Sequence, residues 1–194
     1  ERTREELTVI VKTARPGLVV GPKGSEIDKL VADLQAMTGR KATVKIMEVM
    51  NPDTDARLIA EAVGEGVEIV ELGSGASLKT RLLLHAFYRP RAYVPVDISA
   101  EYMWQAAMAL QHDFPLLDIV PAVADFSKPL HIEQRGGAGN RLLFFPGSTI
   151  GNFKTSEAVN LLARMVHDLT PDYFVIGFDL IKERKILEDA YDDA

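Results

Sequence analysis

Apolar residues recur at two different periods along this chain, and each change of period marks an element. Leu7, Val9 and Val11 recur at every second position, as one face of a strand does. Ile27, Leu30, Val31, Leu34 and Met37 then recur at three- and four-residue steps, the period of an amphipathic helix that Gly39 closes. Val44 and Ile46 alternate again in a second strand. Asn51-Pro52 reads as a cap followed by proline at the first helical position, opening a helix through Leu58, Ile59 and Val63. The first block is thus strand, helix, strand, helix.

Past Gly64, Glu65 and Gly66 the pattern changes. Short apolar runs at 67–72, 92–97, 118–124, 142–145 and 173–178 alternate with helical patterns at 78–88, 100–112, 155–169 and 182–191. That order predicts a parallel sheet covered by helices. The expected fold class is therefore α/β, with a small unit over 1–65 followed by a parallel sheet over 66–194. The helix through Val63 is placed to end the first unit and also to precede the first strand of the second.

Composition narrows the function classes. The 194 residues are 47% hydrophobic and 26% charged, a balance that excludes a disordered or collagen-like chain. No apolar run approaches the roughly 20 residues of a membrane-spanning helix, and the start lacks the layout of a signal peptide, so a cytoplasmic location and no membrane partner are expected. Without cysteine there is no disulfide, thiolate metal site or cysteine nucleophile, and His85, His112, His131 and His167 show no ligand spacing. No metal is expected. A formal charge of -6 argues against non-specific coating of nucleic acid and leaves room for a local basic patch. Glu1 in the place of an initiating methionine reads as a fragment or a processed product. None of these patterns encodes an oligomeric state.

Two glycine loops carry the candidate chemistry. Gly21-Pro22-Lys23-Gly24 precedes the first amphipathic helix, where glycines let another backbone approach and Lys23 supplies positive charge. KH domains clamp single-stranded RNA with this arrangement, although a Gly-x-x-Gly turn alone is more often a plain turn. Lys12, Arg15 and Lys29 lie nearby, in a block that is otherwise close to neutral. The second loop, Gly73-Ser74-Gly75, follows the apolar run Val67-Glu68-Ile69-Val70-Glu71-Leu72 and leads into a helix. Asp97 ends the next strand about 20 residues on, the position from which a carboxylate accepts hydrogen bonds from ribose hydroxyls. Asp125 and Phe126 follow the third strand, suited to an adenine amino group and to covering its ring. A nicotinamide cofactor fits less well, because the full Gly-x-Gly-x-x-Gly is lacking; S-adenosylmethionine fits better. Singly, Gly73 and Gly75 also read as an ordinary turn, Asp97 as a helix cap and Phe126 as core.

The longer strings add two family resemblances. Thr13-Ala14-Arg15-Pro16-Gly17-Leu18-Val19-Val20-Gly21-Pro22-Lys23-Gly24, with Ile46-Met47-Glu48-Val49, Asn51-Pro52-Asp53 and Asp55-Ala56-Arg57-Leu58-Ile59-Ala60-Glu61, resembles the type II KH domain of bacterial ribosomal small-subunit protein S-three. The resemblance implies RNA contacts by Gly21, Lys23, Gly24 and Arg15. Pro22 departs from the family, in which a basic residue is common there, and the family's preceding helix and strand are absent.

Glu71-Leu72-Gly73-Ser74-Gly75-Ala76-Ser77-Leu78-Lys79-Thr80-Arg81, Tyr93-Val94-Pro95-Val96-Asp97-Ile98-Ser99, Val123-Ala124-Asp125-Phe126 and Phe144-Phe145-Pro146-Gly147-Ser148-Thr149-Ile150-Gly151-Asn152-Phe153 resemble the histidine-specific methyltransferases of ergothioneine biosynthesis. That resemblance implies a Rossmann-like class I methyltransferase sheet, truncated at its C-terminus. It implies S-adenosylmethionine held by Gly73, Gly75, Lys79, Asp97, Asp125 and Phe126. It also implies an L-histidine site bordered by Gly147, Thr149, Asn152 and Tyr191, with Asn152 and Tyr191 as the catalytic candidates and Asn152 orienting the amine. With the later part of the family's sheet and its substrate domain absent, cofactor binding without turnover is expected, and the strand at 173–178 is left with an open or differently covered edge. The alternatives are an RNA-binding module on a non-catalytic scaffold, or a chimera without function.

Overall fold

In the computed structural model, the described residues are 6–13, 20–48, 52–75, 78–135, 139–146 and 149–177. They run β1 (Glu6–Thr13), a 3₁₀ turn (Pro22–Gly24), α1 (Ser25–Thr38), β2 (Lys41–Glu48), α2 (Pro52–Val63), β3 (Glu68–Leu72), α3 (Leu78–Ala86), β4 (Ala92–Asp97), α4 (Ala100–Asp113), β5 (Asp118–Ile119), β6 (Ala122–Val123), β7 (Arg141–Phe145), a second 3₁₀ turn (Thr149–Asn152), α5 (Thr155–Leu169) and β8 (Tyr173–Ile176). The elements expected from periodicity are present in that order. The helix expected at 182–191 lies outside the described residues.

The strands of both blocks belong to one sheet, ordered β2-β1-β8-β7-β3-β4-β5, with β6 also on β4. Every pairing is parallel. The outer edge of β8, expected to be open or differently covered, is taken by β1, with Thr8 opposite Tyr173 and Val11 opposite Ile176. β1 is consequently an interior strand. Leu7, Val9 and Val11 are buried on one face, and Ile10, which the alternating pattern left out, is buried on the other.

The core lies on both faces of the sheet. On one, α5 inserts Leu161, Met165, Val166 and Leu169 against Val70, Leu72, Val94, Leu143, Phe145, Val9 and Phe174, with Leu34 of α1 packed at the margin. On the other, Ala56, Ile59 and Val63 of α2 meet Leu83, Leu84 and Phe87, together with Ile10, Ile69, Tyr93 and Val175. Helix α2 thus joins strands of both blocks into one core.

The edges differ in kind. Among the described residues β2 is the last strand on one side, and its Lys41, Thr43 and Lys45 are exposed. On the far side the strand expected at 118–124 is divided into β5 and β6, with Pro121, which has no N–H to donate, in the gap. Pairing resumes on either side of it, from Val120 N to Tyr93 O at 2.9 Å and from Ala124 N to Asp97 O at 3.0 Å.

At the amino end of the strands Glu68 and Arg141, opposite one another in register, form a buried ion pair at 2.6 Å. The same guanidinium donates to the Leu169 and Ile132 carbonyls, and Glu68 accepts from Arg135 N. Both charges are therefore met by several partners, the condition under which a buried pair is tolerated.

Because Ile59 joins the two blocks in one core, Ile59→Ala is expected to destabilise the fold by about 2–5 kcal/mol. Chemical denaturation followed by far-ultraviolet circular dichroism should show a single transition moved to lower denaturant. Two separate transitions with only one displaced would show that the blocks fold independently.

Candidate functional site

In an all-parallel sheet the carboxyl ends of every strand fall on one edge, and there the candidate residues collect. β3 runs into the turn at 73–75 while still paired: Gly73 N donates to Val96 O at 2.8 Å. Gly73 (φ 68°) and Gly75 (φ 46°) both adopt the left-handed region, which a side chain disfavours. Gly75 N then donates to Asp97 Oδ2 at 3.2 Å, and Ser99 N to Asp97 Oδ1 at 2.9 Å. Each oxygen of Asp97 so holds one backbone donor and keeps acceptor capacity for another. Between the glycines, Ser74 is 5% exposed and its Oγ has no hydrogen-bond partner. A buried hydroxyl left unmatched is costly, and a polar ligand atom at this turn would satisfy it.

The third strand end closes against the first. A side-chain carbon at Gly73 would stand 3.7 Å from Phe126 Cε1, so the ring lies beside the glycine turn. Phe126 is held edge-on to Phe145, the last residue of β7, with centroids 5.6 Å apart. Asp125 Oδ1 accepts from the hydroxyl of Ser127 at 2.5 Å and from its N–H at 2.9 Å, and Lys128 lies 3.3 Å from Oδ2. The turn itself is buttressed from beneath by Glu71, which sequence reading quoted without assigning it a role. Its carboxylate is buried and accepts from the hydroxyls of Thr80 in α3 and Tyr93 in β4. The available signal was a second acid, after Glu68, in a strand whose other residues are apolar.

β7, the neighbour of β3, leads to the Thr149–Asn152 turn, so that turn follows the strand adjacent to the one feeding the glycines. Thr149 is partly buried and Asn152 exposed. Lys79 lies in the first turn of α3. Gly147 and Tyr191, the other residues expected around a substrate, lie outside the described residues, as does Arg15. Among the described residues no three His, Asp or Glu gather as a metal site, and no helix is long and apolar enough to cross a membrane.

The loop of the first block stands on the same edge. Gly21 (φ 69°), Lys23 (φ 55°) and Gly24 (φ 86°) all have positive φ. A side-chain carbon at Gly21 would fall 2.5 Å from Glu26 Cγ, so the chain admits only glycine there. Pro22 and Lys23 are exposed at the start of α1, whose first turn carries Glu26 and Asp28. Those acids suit the helix dipole and oppose an incoming phosphate.

The hydrogen bonds from the Ser127 hydroxyl and then its N–H, with the charge of Lys128, hold the Asp125 carboxyl below its ordinary range. A depressed folded value means that Asp125 contributes stability above its unfolded pKa of about 3.9, and that this contribution is lost as pH falls through the folded value. Ser127→Ala should raise the Asp125 pKa, read from its carboxyl ¹³C shift during an acid titration; an unchanged midpoint would show that Ser127 does not set it.

The chain is similar to two families of known proteins. A family model described as "Histidine-specific methyltransferase, SAM-dependent" matches residues 47–194, and a KH domain model matches residues 1–54. The two matches overlap over residues 47–54, from the end of β2 into the first turn of α2. Histidine N-alpha-methyltransferase of Mycolicibacterium smegmatis is 31% identical over 98% of this chain and 58% of its own length. Its namesake from Mycobacterium tuberculosis is 32% identical over 88% of this chain and 52% of its own length. Small ribosomal subunit protein uS3 of Acidobacterium capsulatum is 48% identical over 35% of this chain and 30% of its own length. The chain thus spans between about half and three fifths of the methyltransferases it matches and under a third of the ribosomal protein. The methyltransferase match covers most of the chain, which favours that reading over an RNA-binding module on a bare scaffold. With the match over 47–194, the chain belongs to the family of S-adenosylmethionine-dependent, histidine-specific methyltransferases, and its first 54 residues are similar to KH domains.

Proposed function

We propose that the chain binds S-adenosylmethionine across the carboxyl ends of β3, β4 and β6 and presents the α-amino nitrogen of L-histidine to it, the chemistry that yields hercynine in ergothioneine biosynthesis. The observation that carries this reading is Asp97 bonded to the backbone of the glycine turn, with Phe126 closing the turn from the third strand end. Asp97 accepts from the ribose hydroxyls, Asp125 from the adenine amino group, and Phe126 covers the adenine ring. Gly73 and Gly75 leave room for the ligand against the backbone, and Lys79 and the Ser74 hydroxyl meet its polar groups. The residues present fit the cofactor, because the unmatched Ser74 hydroxyl and the spare acceptor sites of Asp97 face the same need.

S-adenosylmethionine supplies an electrophilic methyl group on a sulfonium. The task left to the protein is positioning, since an amine attacks once its lone pair is neutral and in line. Asn152, in the turn that follows β7, orients the amine; Gly147, Thr149 and Tyr191 border the histidine. The first block, taken as a unit over 1–65, binds single-stranded RNA backbone through Gly21, Lys23 and Gly24, with Arg15 adding charge. The protein acts in the cytoplasm.

Two outcomes are expected. Isothermal calorimetry should give stoichiometric S-adenosylmethionine binding that Asp97→Ala abolishes; unaltered binding in that variant would remove Asp97 from the site. Asn152→Ala should weaken binding of L-histidine to the cofactor-loaded chain at nearly unchanged cofactor affinity. Equal loss of both would make Asn152 structural.

A further inference from the structure

The three strand ends of the proposed cofactor site are not placed in the same way. Gly73 and Asp97 belong to the sheet, since Gly73 N still donates to Val96 O and Asp97 is the last residue of β4. Asp125 and Phe126 stand beyond the end of β6 at Val123, on a loop whose Phe126, Leu130 and Ile132 pack on the face covered by α5. Their placement has to come from outside the sheet. Helix α5 supplies it through two side chains one turn apart. Arg164 Nη2 donates to the Ser127 carbonyl and, at 3.5 Å, to the Phe126 carbonyl. Asp168 Oδ2 accepts from Leu130 N at 3.1 Å, and its Oδ1 lies 3.1 Å from His167 Nδ1. The needs of α5 itself do not explain this pair. An acid in the last turn of a helix opposes the dipole there, and a basic residue four positions before an acid is the less favourable order on a helix face. The buried contacts of α5 are made by Leu161, Met165, Val166 and Leu169, whereas Arg164 and Asp168 are only partly buried. What these two hold is the loop.

We propose that Arg164 is a positioning residue of the cofactor site and sets its selectivity for adenine. This rests on the function proposed above, in which Asp125 accepts from the adenine amino group and Phe126 covers the ring. One guanidinium nitrogen fixes the backbone behind both. It holds the carbonyl of Phe126 directly, and it holds Ser127, whose N–H and hydroxyl in turn hold Asp125 Oδ1. Arg164 bonds to protein backbone, so its removal changes where the Asp125 carboxylate stands without taking a contact from the ligand. The ribose acceptor, Asp97, is held separately by Gly75 N and Ser99 N. A base that lacks the amino group gains nothing from a well-placed Asp125. Loss of Arg164 therefore falls unequally on two ligands that differ only at that group.

The test measures, by calorimetry on the whole chain, the affinities for S-adenosylhomocysteine and for its deaminated analogue, which carries a 6-oxo group where adenine has its amino group. The unsubstituted chain should bind the adenine form at least roughly tenfold tighter, as a hydrogen bond to a charged acceptor allows. Asp125→Asn should remove that preference, because an amide can accept from the amino group or donate to the oxo group. Arg164→Met, which keeps the apolar stem, should lower the ratio of the two affinities toward one. Should that variant not fold by circular dichroism, Arg164→Lys, whose single ammonium has no fork, is read in the same way and should lower the ratio in the same direction. The ratio is a sound readout because a reduced fraction of competent chain scales both affinities alike. A fall of both affinities by one factor, with the ratio kept, overturns the proposal and leaves Arg164 a support of the fold. Loss of the preference in Asp125→Asn with the ratio intact in the Arg164 variant sinks this inference alone. An unsubstituted chain that binds both ligands equally, or neither, sinks the reading beneath it as well.

Discussion

The parallel pairing of β1 with β8 is the constraint from which the arrangement of the sites follows. An unpaired edge on β8 would leave a row of backbone donors and acceptors for another chain to use. β1 satisfies them, from Thr8 opposite Tyr173 to Val11 opposite Ile176, and fills both faces of the sheet with Leu7, Val9, Val11 and Ile10. The direction of pairing matters as much as its existence. An antiparallel β1 would send the chain towards its glycine loop at the opposite end of the sheet, beside the Glu68–Arg141 pair. Parallel pairing places that loop with the turns that follow β3, β4, β6 and β7.

Within that frame, β3 is held at both ends by acids that an apolar strand would ordinarily exclude. Glu68 fixes its start to β7 through Arg141, and Glu71 fixes its end to α3 and β4 through Thr80 and Tyr93. A shift of register by one residue would point both carboxylates to the wrong face and leave Arg141 buried without its partner. The glycine turn is thus anchored by three elements just before the chain adopts the left-handed conformations of Gly73 and Gly75. Rigid support beneath a flexible-looking turn is what a site that works by positioning requires.

Much of this was legible in the sequence because the signals are local. Alternation gave β1 and β2, the three-to-four-residue period gave α1 and α5, and Asp97 and Asp125 stood at strand ends that could be located to within a residue or two. What escaped was long-range. Ile10 sits at a polar position of an alternating strand, and only the arrival of β8 and α2 explains its burial. The division between β5 and β6 needed Pro121 to be read as a lost donor inside a run that otherwise looks continuous. Glu71 reads as one more charged residue until Tyr93, distant in sequence, closes over it. Nor does any sequence pattern say which strand pairs with the outer edge of β8, and so the shared edge of the two loops could not be foreseen.

The two outermost strands bear on how the protein behaves when concentrated. Extending a sheet by one strand puts a new strand at its margin, and any margin invites copies of the chain to add to it. Among the described residues β2 presents the exposed charge of Lys45 beside the ion pair of Lys41 with Glu6, and the opposite margin is interrupted at Pro121. Among the described residues, both margins of the sheet thus carry features that discourage the addition of a further strand.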